Sequence, residues 1–300
     1  MNNTINILLN KIIKYNKYGQ IFCILMIFAS VFVILSFWQK TGNFLELGMD
    51  FTGGSQTEIF LDKNTILDSG TILDLKEQFS SISENNEADV RFSSSLSKNS
   101  ILIYSVDKIE KDKIISILTQ NNIPIDENNI RQDYVSSLLS KNFLSQAQFA
   151  LIIALIAMAI VIFISFRALA PSLAIMLAAI CDIVFTIAAM NIIGLKLTLA
   201  SLTGLLMLIG YSVDTDVLLT TRVLKRRFEG TIDKQTKSAI KTGLTMTLTT
   251  IVSLFVLYLF AGGTKIGETA IVIIIGLIAD MPFTWFQNVG ILSRYIKKTQ

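Results

Sequence analysis

The chain has 300 residues, of which 52% are apolar and only 16% charged, with a mean hydropathy of +0.57. That balance excludes an ordinary soluble domain. The net charge of +3 conceals a strong asymmetry along the chain.

A cytoplasmic segment, 1–20, carries Lys11, Lys14 and Lys17 ahead of a first apolar run at 21–38. A signal peptide fits the lysines, but the run is long for a signal core and no small-x-small cleavage site follows at 36–42. It reads as a retained transmembrane anchor. Further apolar runs at 149–166, 173–194, 198–219, 243–261 and 270–292 approach or reach the roughly 20 residues that cross a bilayer, which makes six helices.

Between the first two lies a polar segment, 39–141, with no Pro-rich or Ser/Gly-rich linker. Its pattern predicts strands at 55–61, 90–95, 100–106 and 129–135 and helices at 71–82 and 109–120. The order β-α-β-β-α-β is ferredoxin-like, and about 100 residues can bury a modest core. At its start, Gly48-Met49-Asp50-Phe51-Thr52-Gly53-Gly54 is rich in glycine. It lacks a P-loop ending and opens no helix, so it reads as a turn in which Gly53 and Gly54 supply positive φ.

The remaining chain, 142–300, is a five-helix block with a cytoplasmic loop at 222–242. Asp182 is the deepest acid, near the middle of the third span. A carboxylate near the bilayer centre costs roughly 2.5–3.5 kcal/mol on insertion scales, so Asp182 either pairs within the bundle or titrates. In the fourth span, Thr203, Gly210, Asp214 and Thr221 fall on one stripe, while Ser212, Asp216 and Thr220 fall on the opposite one. Small residues admit a neighbouring helix, so the stripe with Gly210 favours a functional Asp214. Asp216 reads at least as well as a hydrated acid paired with Arg222 or Arg226, and Arg222 as a snorkelling anchor. The fifth span lines up Thr242, Thr245, Thr249 and Ser253, hydroxyls that join helices or, less often, line a path. Asp280 precedes Pro282, which should kink the sixth span; Asp280 either satisfies a neighbouring helix or joins the relay.

With the N-terminus inside, fourteen Lys and Arg residues lie on the cytoplasmic side, against Lys196 and Lys265 in the short outer loops. The positive-inside rule then predicts both termini cytoplasmic in a multi-pass protein of the cell membrane, with 39–141 outside. The basic stretch 222–241 follows a membrane helix, so it points to anionic lipid and not to nucleic acid. The cysteines, Cys23 and Cys181, lie in membrane runs and histidine is absent. Any proton transfer must therefore use carboxylates, hydroxyls or water. No nucleophile–base pair, zinc spacing or nucleotide loop is present, so neither an enzyme nor a cofactor or metal is expected.

Together these segments resemble SecF, the smaller membrane subunit of the SecD–SecF accessory complex of protein export. Gly48, Asp50, Phe51, Gly53 and Gly54 match the family's Gly-x-Asp-Phe-x-Gly-Gly segment, and Gly210-Tyr211-Ser212 its Gly-Tyr-Ser motif. Cys181-Asp182-Ile183 is similar to the acid of the third helix, where many bacterial members have His-Asp. Asp214-Thr215-Asp216 and the ending Ala279-Asp280-Met281-Pro282 are similar to archaeal members. The resemblance implies an RND-like half of six transmembrane helices with an extracytoplasmic α+β ferredoxin-like domain. It implies a SecD-like partner, a SecY-type channel, and use of the proton-motive force to pull unfolded preprotein outward. Asp182, Asp214, Asp216, Asp280 and Arg222 are the relay candidates, and Thr203, Gly204 and Gly210 the expected partner seam. The competing reading is an RND-type exporter of small molecules or lipid, disfavoured by the single small outer domain.

Overall fold

The computed structural model describes residues 16–61, 65, 67–83, 88–94, 96, 99–123, 125, 129–225 and 232–299. The N-terminal lysines Lys11 and Lys14 and the loop residues Arg226 and Arg227 lie outside them. In chain order the elements are α1 (Asn16–Thr41), α2 (Met49–Thr52), β1 (Gly54–Leu61), α3 (Ser69–Ile82), β2 (Ala88–Ser94), β3 (Asn99–Ser105), α4 (Lys111–Gln120), β4 (Ile130–Val135), α5 (Ser137–Phe166), α6 (Leu169–Ile193), α7 (Leu199–Lys225), α8 (Ile232–Ala261) and α9 (Lys265–Pro282). A π-helical turn, Phe283–Asn288, and α10 (Val289–Thr299) complete the chain.

Six helical stretches are long and apolar enough to cross a membrane: α1, α5, α6, α7, α8 and the continuous run Lys265–Ile296. Their ends follow from local chemistry. Pro171 sits in the first turn of α6, where its missing N–H has no helical acceptor to lose. Gly194 closes α6 in the left-handed region, at φ 77°. Thr198 and Ser201 cap α7 reciprocally: Ser201 Oγ accepts from Thr198 N at 2.8 Å and Thr198 Oγ1 from Ser201 N at 3.0 Å. Buried side chains concentrate in α6, α7 and α9, which form the centre of the bundle, with α1, α5 and α8 against it.

Three expectations change. α5 begins at Ser137, inside the stretch assigned to the polar domain, because Ser136 caps it directly after β4. α7 runs to Lys225 and α8 starts at Ile232, so the 222–242 loop is largely helical. Leu219, Val223, Ala239, Ile240, Leu292 and Ile296 pack together there, an apolar contact that keeps both helices wound. Pro282 leads into the π turn, whose i→i+5 bonding absorbs the break in the ladder.

The polar domain has the predicted order. Its sheet runs β2-β3-β1-β4, all antiparallel, with Ile59 opposite both Ile101 and Ile130. One face carries Ile59, Ile101 and Ile103 and packs on Leu75 and Phe79 of α3 and Ile114 and Leu118 of α4. Each such side chain contributes roughly 1.5–3 kcal/mol relative to exposure. Side chains alternate across a strand, so Glu58, Asp89, Arg91, Tyr104 and Asp133 occupy the other face. That face lies on the helix ends. Lys196 of the α6–α7 turn pairs with Glu46 at 2.8 Å and Asp89 at 3.9 Å, and Lys265 with Asp133 at 3.5 Å. Leu96 N–H donates to the Leu259 carbonyl at 2.9 Å.

Candidate functional site: a buried cluster of carboxyls

Contrary to expectation the glycine-rich segment does open a helix, the four-residue α2 between Gly48 and Gly53, and it forms a structural junction. Gly48 N donates to Leu197 O and Leu197 N to Glu46 O, both at 2.7 Å, tying the segment to the α6–α7 turn. A side chain on Gly48 would meet Leu197 O at 2.8 Å. Asp50, 4% exposed, accepts from the backbone N–H of Leu199 at 2.9 Å and so caps α7 from outside that helix. Phe51 packs on Ala147 of α5 and Leu202 of α7. Gly53 and Gly54 have φ of 85° and 130°, as a turn requires.

The candidate centre lies deeper. Asp182 on α6, Asp216 on α7 and Asp280 on α9 are exposed by 1%, 0% and 0%. Ser212 Oγ donates to Asp182 Oδ2 at 2.5 Å. Thr215 Oγ1 donates to Asp280 Oδ2 at 2.9 Å. Thr284 Oγ1 lies 2.9 Å from Asp280 Oδ1 and 2.8 Å from Asp216 Oδ1, linking these two acids. Asn288 Nδ2 donates to Asp216 Oδ1 at 2.7 Å. Ser212 and Asp216 are one turn apart on α7, as are Asp280 and Thr284 on the last span. The π turn advances less per residue than an α turn, which keeps Asn288 on their face.

Among the described residues, no basic side chain pairs with any of the three acids. A buried unpaired charge is penalised by several kcal/mol, so three ionised carboxylates side by side without a counter-charge are strongly disfavoured. Asp182 Oδ1, Asp216 Oδ2 and Asn288 Oδ1 are buried acceptors without a hydrogen-bond partner. The site therefore has more acceptors than donors.

The structure reverses the ranking of the α7 acids. Asp216 is in the cluster, whereas Asp214 is exposed on the opposite side with Thr203, Gly210 and Tyr211. Helix rotation is decided by the apolar knobs: Leu205, Leu208 and Leu219, all buried, share a broad face with Ser212 and Asp216. Arg222 bonds to neither acid; its Nη1 donates to Ser238 Oγ on α8 at 2.5 Å. Gly204 packs within the chain, where an added Cβ would lie 3.0 Å from Val272, so it belongs to the α7–α9 contact and not to an outer seam. Gly210 has open space around it. The hydroxyls of Thr242, Thr245, Thr249 and Ser253 donate to carbonyls of their own helix and neither join helices nor line a path within this chain. Sequence reasoning missed Thr215, Thr284 and Asn288; polar side chains one and two turns after Asp280 were the available signal.

Comparison with known proteins agrees with this architecture. The family model described as "Protein export membrane protein SecD/SecF, C-terminal" matches residues 114–298. A SecF protein of Methanocaldococcus jannaschii is 39% identical over 83% of this chain and 86% of its own length. One from Pyrococcus furiosus is 31% identical over 100% of this chain and 98% of its own. One from Methanolacinia petrolearia is 48% identical over 53% of this chain, a match spanning about half, 56%, of that relative. The crystal structure of SecDF, a translocon-associated membrane protein from Thermus thermophilus, superposes with a TM-score of 0.73 at 14% identity, covering 95% of this chain and 38% of that one. With the family model matching more than half of its residues and relatives above 30% identity along most of its length, the chain belongs to the SecD/SecF family of protein-export membrane proteins.

Proposed function

We propose that this chain is a SecF-type accessory subunit that works with a SecD-like partner and a SecY-type channel. It assists unfolded preprotein across the cytoplasmic membrane at the expense of the proton-motive force. The role is transport and not enzymatic catalysis, and it requires no cofactor. Both termini lie in the cytoplasm, the sheet domain lies outside, and the basic α7–α8 connection faces anionic lipid.

The observation that carries the motor reading is the hydroxyl bridge. Thr284 has one hydroxyl proton and two carboxylate oxygens within 2.9 Å. Thr215 likewise faces Asp280 Oδ2 and the Ser212 carbonyl, the latter at 2.8 Å. With a proton on Asp280 Oδ1, Thr284 accepts from Asp280 and donates to Asp216, while Thr215 donates to Asp280 Oδ2; transfer of that proton to Asp216 or Asp182 breaks one set of bonds and makes another. Each arrangement favours a different relation of α6, α7 and α9, so proton passage biases a two-state element. One charge crossing 100 mV supplies about 2.3 kcal/mol, enough to shift such an equilibrium more than tenfold.

The replacements Asp182→Asn, Asp216→Asn and Asp280→Asn keep shape and remove the exchangeable charge. Each should preserve co-purification with the SecD-like partner and abolish the uncoupler-sensitive part of preprotein export. Export that keeps its full dependence on the proton gradient in all three variants would show the acids to be structural. Export sustained by a Na⁺ gradient after proton-gradient collapse would reassign the ion and retain the cluster.

A further inference from the structure

On their outer side the acids are closed off by two successive apolar layers between α7 and α9. Leu208 on α7 is fully buried and sits over Gly276 of α9, so closely that a Cβ there would lie 2.2 Å from Leu208 Cδ2. Leu208, Ile273 and Leu277 form one apolar cluster, with Ile251 and Leu254 of α8 packed on it. The layer is one turn deep towards the acids, because Ser212 is four residues after Leu208 and Asp280 four after Gly276. A second layer follows, Leu205 of α7 with Val272 of α9 and Met190 of α6, and beyond it the seam becomes polar. Thr269 Oγ1 donates to the Ala200 carbonyl at 2.9 Å, and Thr198 Oγ1 to Glu268 Oε2 at 2.8 Å. Glu268 and Asp280 are separated by twelve residues, roughly 18 Å along a helix. The other side of the cluster is sealed by an apolar group that includes Leu219, Trp285, Val289 and Leu292.

We propose that Leu208, seated on Gly276, is the inner gate on the outer side, the layer that directly closes the acid cluster, an inference that rests on the proton-coupled reading above. Glycine is what allows α7 and α9 to approach there, and the leucine side chain fills the space its missing Cβ leaves. A hydrophobic constriction excludes water while packed and admits it when widened. A small separation of α7 from α9 lifts Leu208 off Gly276 and parts Leu205 from Val272, linking Glu268 to Ser212 and Asp280 through water. The reverse movement closes the path behind the proton.

The test uses the complex of this chain with its SecD-like partner in liposomes holding a trapped pH-sensitive dye and an imposed pH gradient. Leu208→Ala should leak protons faster than the parent by about tenfold, a barrier lowered by ~1.4 kcal/mol. Leu208→Met refills the layer and should hold the parental rate. Adding Asp280→Asn to Leu208→Ala should return the leak to the parental rate, because the path then meets no carboxyl at its inner end. A parental rate in an intact Leu208→Ala complex overturns the gate, as does a leak that persists after Asp280→Asn. If Leu208→Ala fails to assemble, Leu208→Val decides by the same criteria. The leak assay needs no preprotein, so failure of the gate is distinguishable from failure of the export reading.

Discussion

Two carboxylates outside the membrane spans illustrate how local environment sets opposite responses to pH. Glu58, 9% exposed with Oε1 unpartnered, has its ionisation pushed upward by burial, against the pull of Arg131. Asp89 is also penalised by burial, but hydrogen bonds and charges from Arg91, Lys76 and Lys196 outweigh this and hold it below the usual carboxylate range. A raised acid costs stability at neutral pH, and that cost disappears as pH falls through its folded pKa to its unfolded one. A lowered acid contributes stability above its unfolded pKa and loses it as pH falls through the folded value. Glu58→Gln should therefore raise the melting temperature of the purified protein at pH 7, with the gain fading towards pH 4. Asp89→Asn should lower it at pH 7. Thermal unfolding at the two pH values checks both signs. At the same scale, Asp182 and Asp280 were legible in the sequence because an acid inside an apolar run has few readings. Asp216 was not, since stripes on α7 define two polar faces without saying which is inward.

At the scale of elements, the α7 N-terminus is built by residues from two distant parts of the chain. Thr198 and Ser201 cap it from within, and Asp50 supplies a carboxylate oxygen from a segment about 150 residues earlier. Removing such a cap costs about 1 kcal/mol, within a range of roughly 0.5–2. Asp50→Ala should thus lower thermal stability of the detergent-solubilised protein, while Asp50→Asn, which keeps the acceptor, should recover most of the loss. Equal melting of the two variants would assign the effect to charge instead of capping. The motif was legible as a turn with two positive-φ glycines, but its capping role was not, because it depends on a contact across half the chain. The sheet order was legible because alternation and turn residues are local signals. The π turn was less so. Pro282 announced a disturbance, yet whether the helix kinks or widens is settled by the neighbours it must satisfy, including Cys23, whose Sγ donates to the Pro282 carbonyl at 3.2 Å.

For the whole molecule, six spans and a polar domain follow from composition and run length, while the arrangement of the spans does not. The exposed side of α7 presents Thr203, Gly210 and Asp214, and α8 beside it presents Thr245, Thr249 and Ser253. An intramembrane surface with these groups is costly against hydrocarbon and suits a close helix contact. Gly210→Leu should break co-purification with the SecD-like partner while leaving the isolated chain's helix content unchanged. Retention of the partner by that variant would move the contact elsewhere.

The placement of Lys196 and Lys265 has a mechanical consequence. Lys196 pairs with Asp89 on β2 and Lys265 with Asp133 on β4, the two edges of the sheet. Three strand spacings separate those edges, roughly 14 Å. The same lysines stand where α7 and α9 begin, the helices that carry Asp216 and Asp280. The sheet thus bridges the starts of the two helices. A 1 Å slide of one helix past the other would tilt the sheet by about 4°, from the ratio of that slide to the edge separation of three strand spacings. Any chain held against the far side of the domain travels further than the helices do.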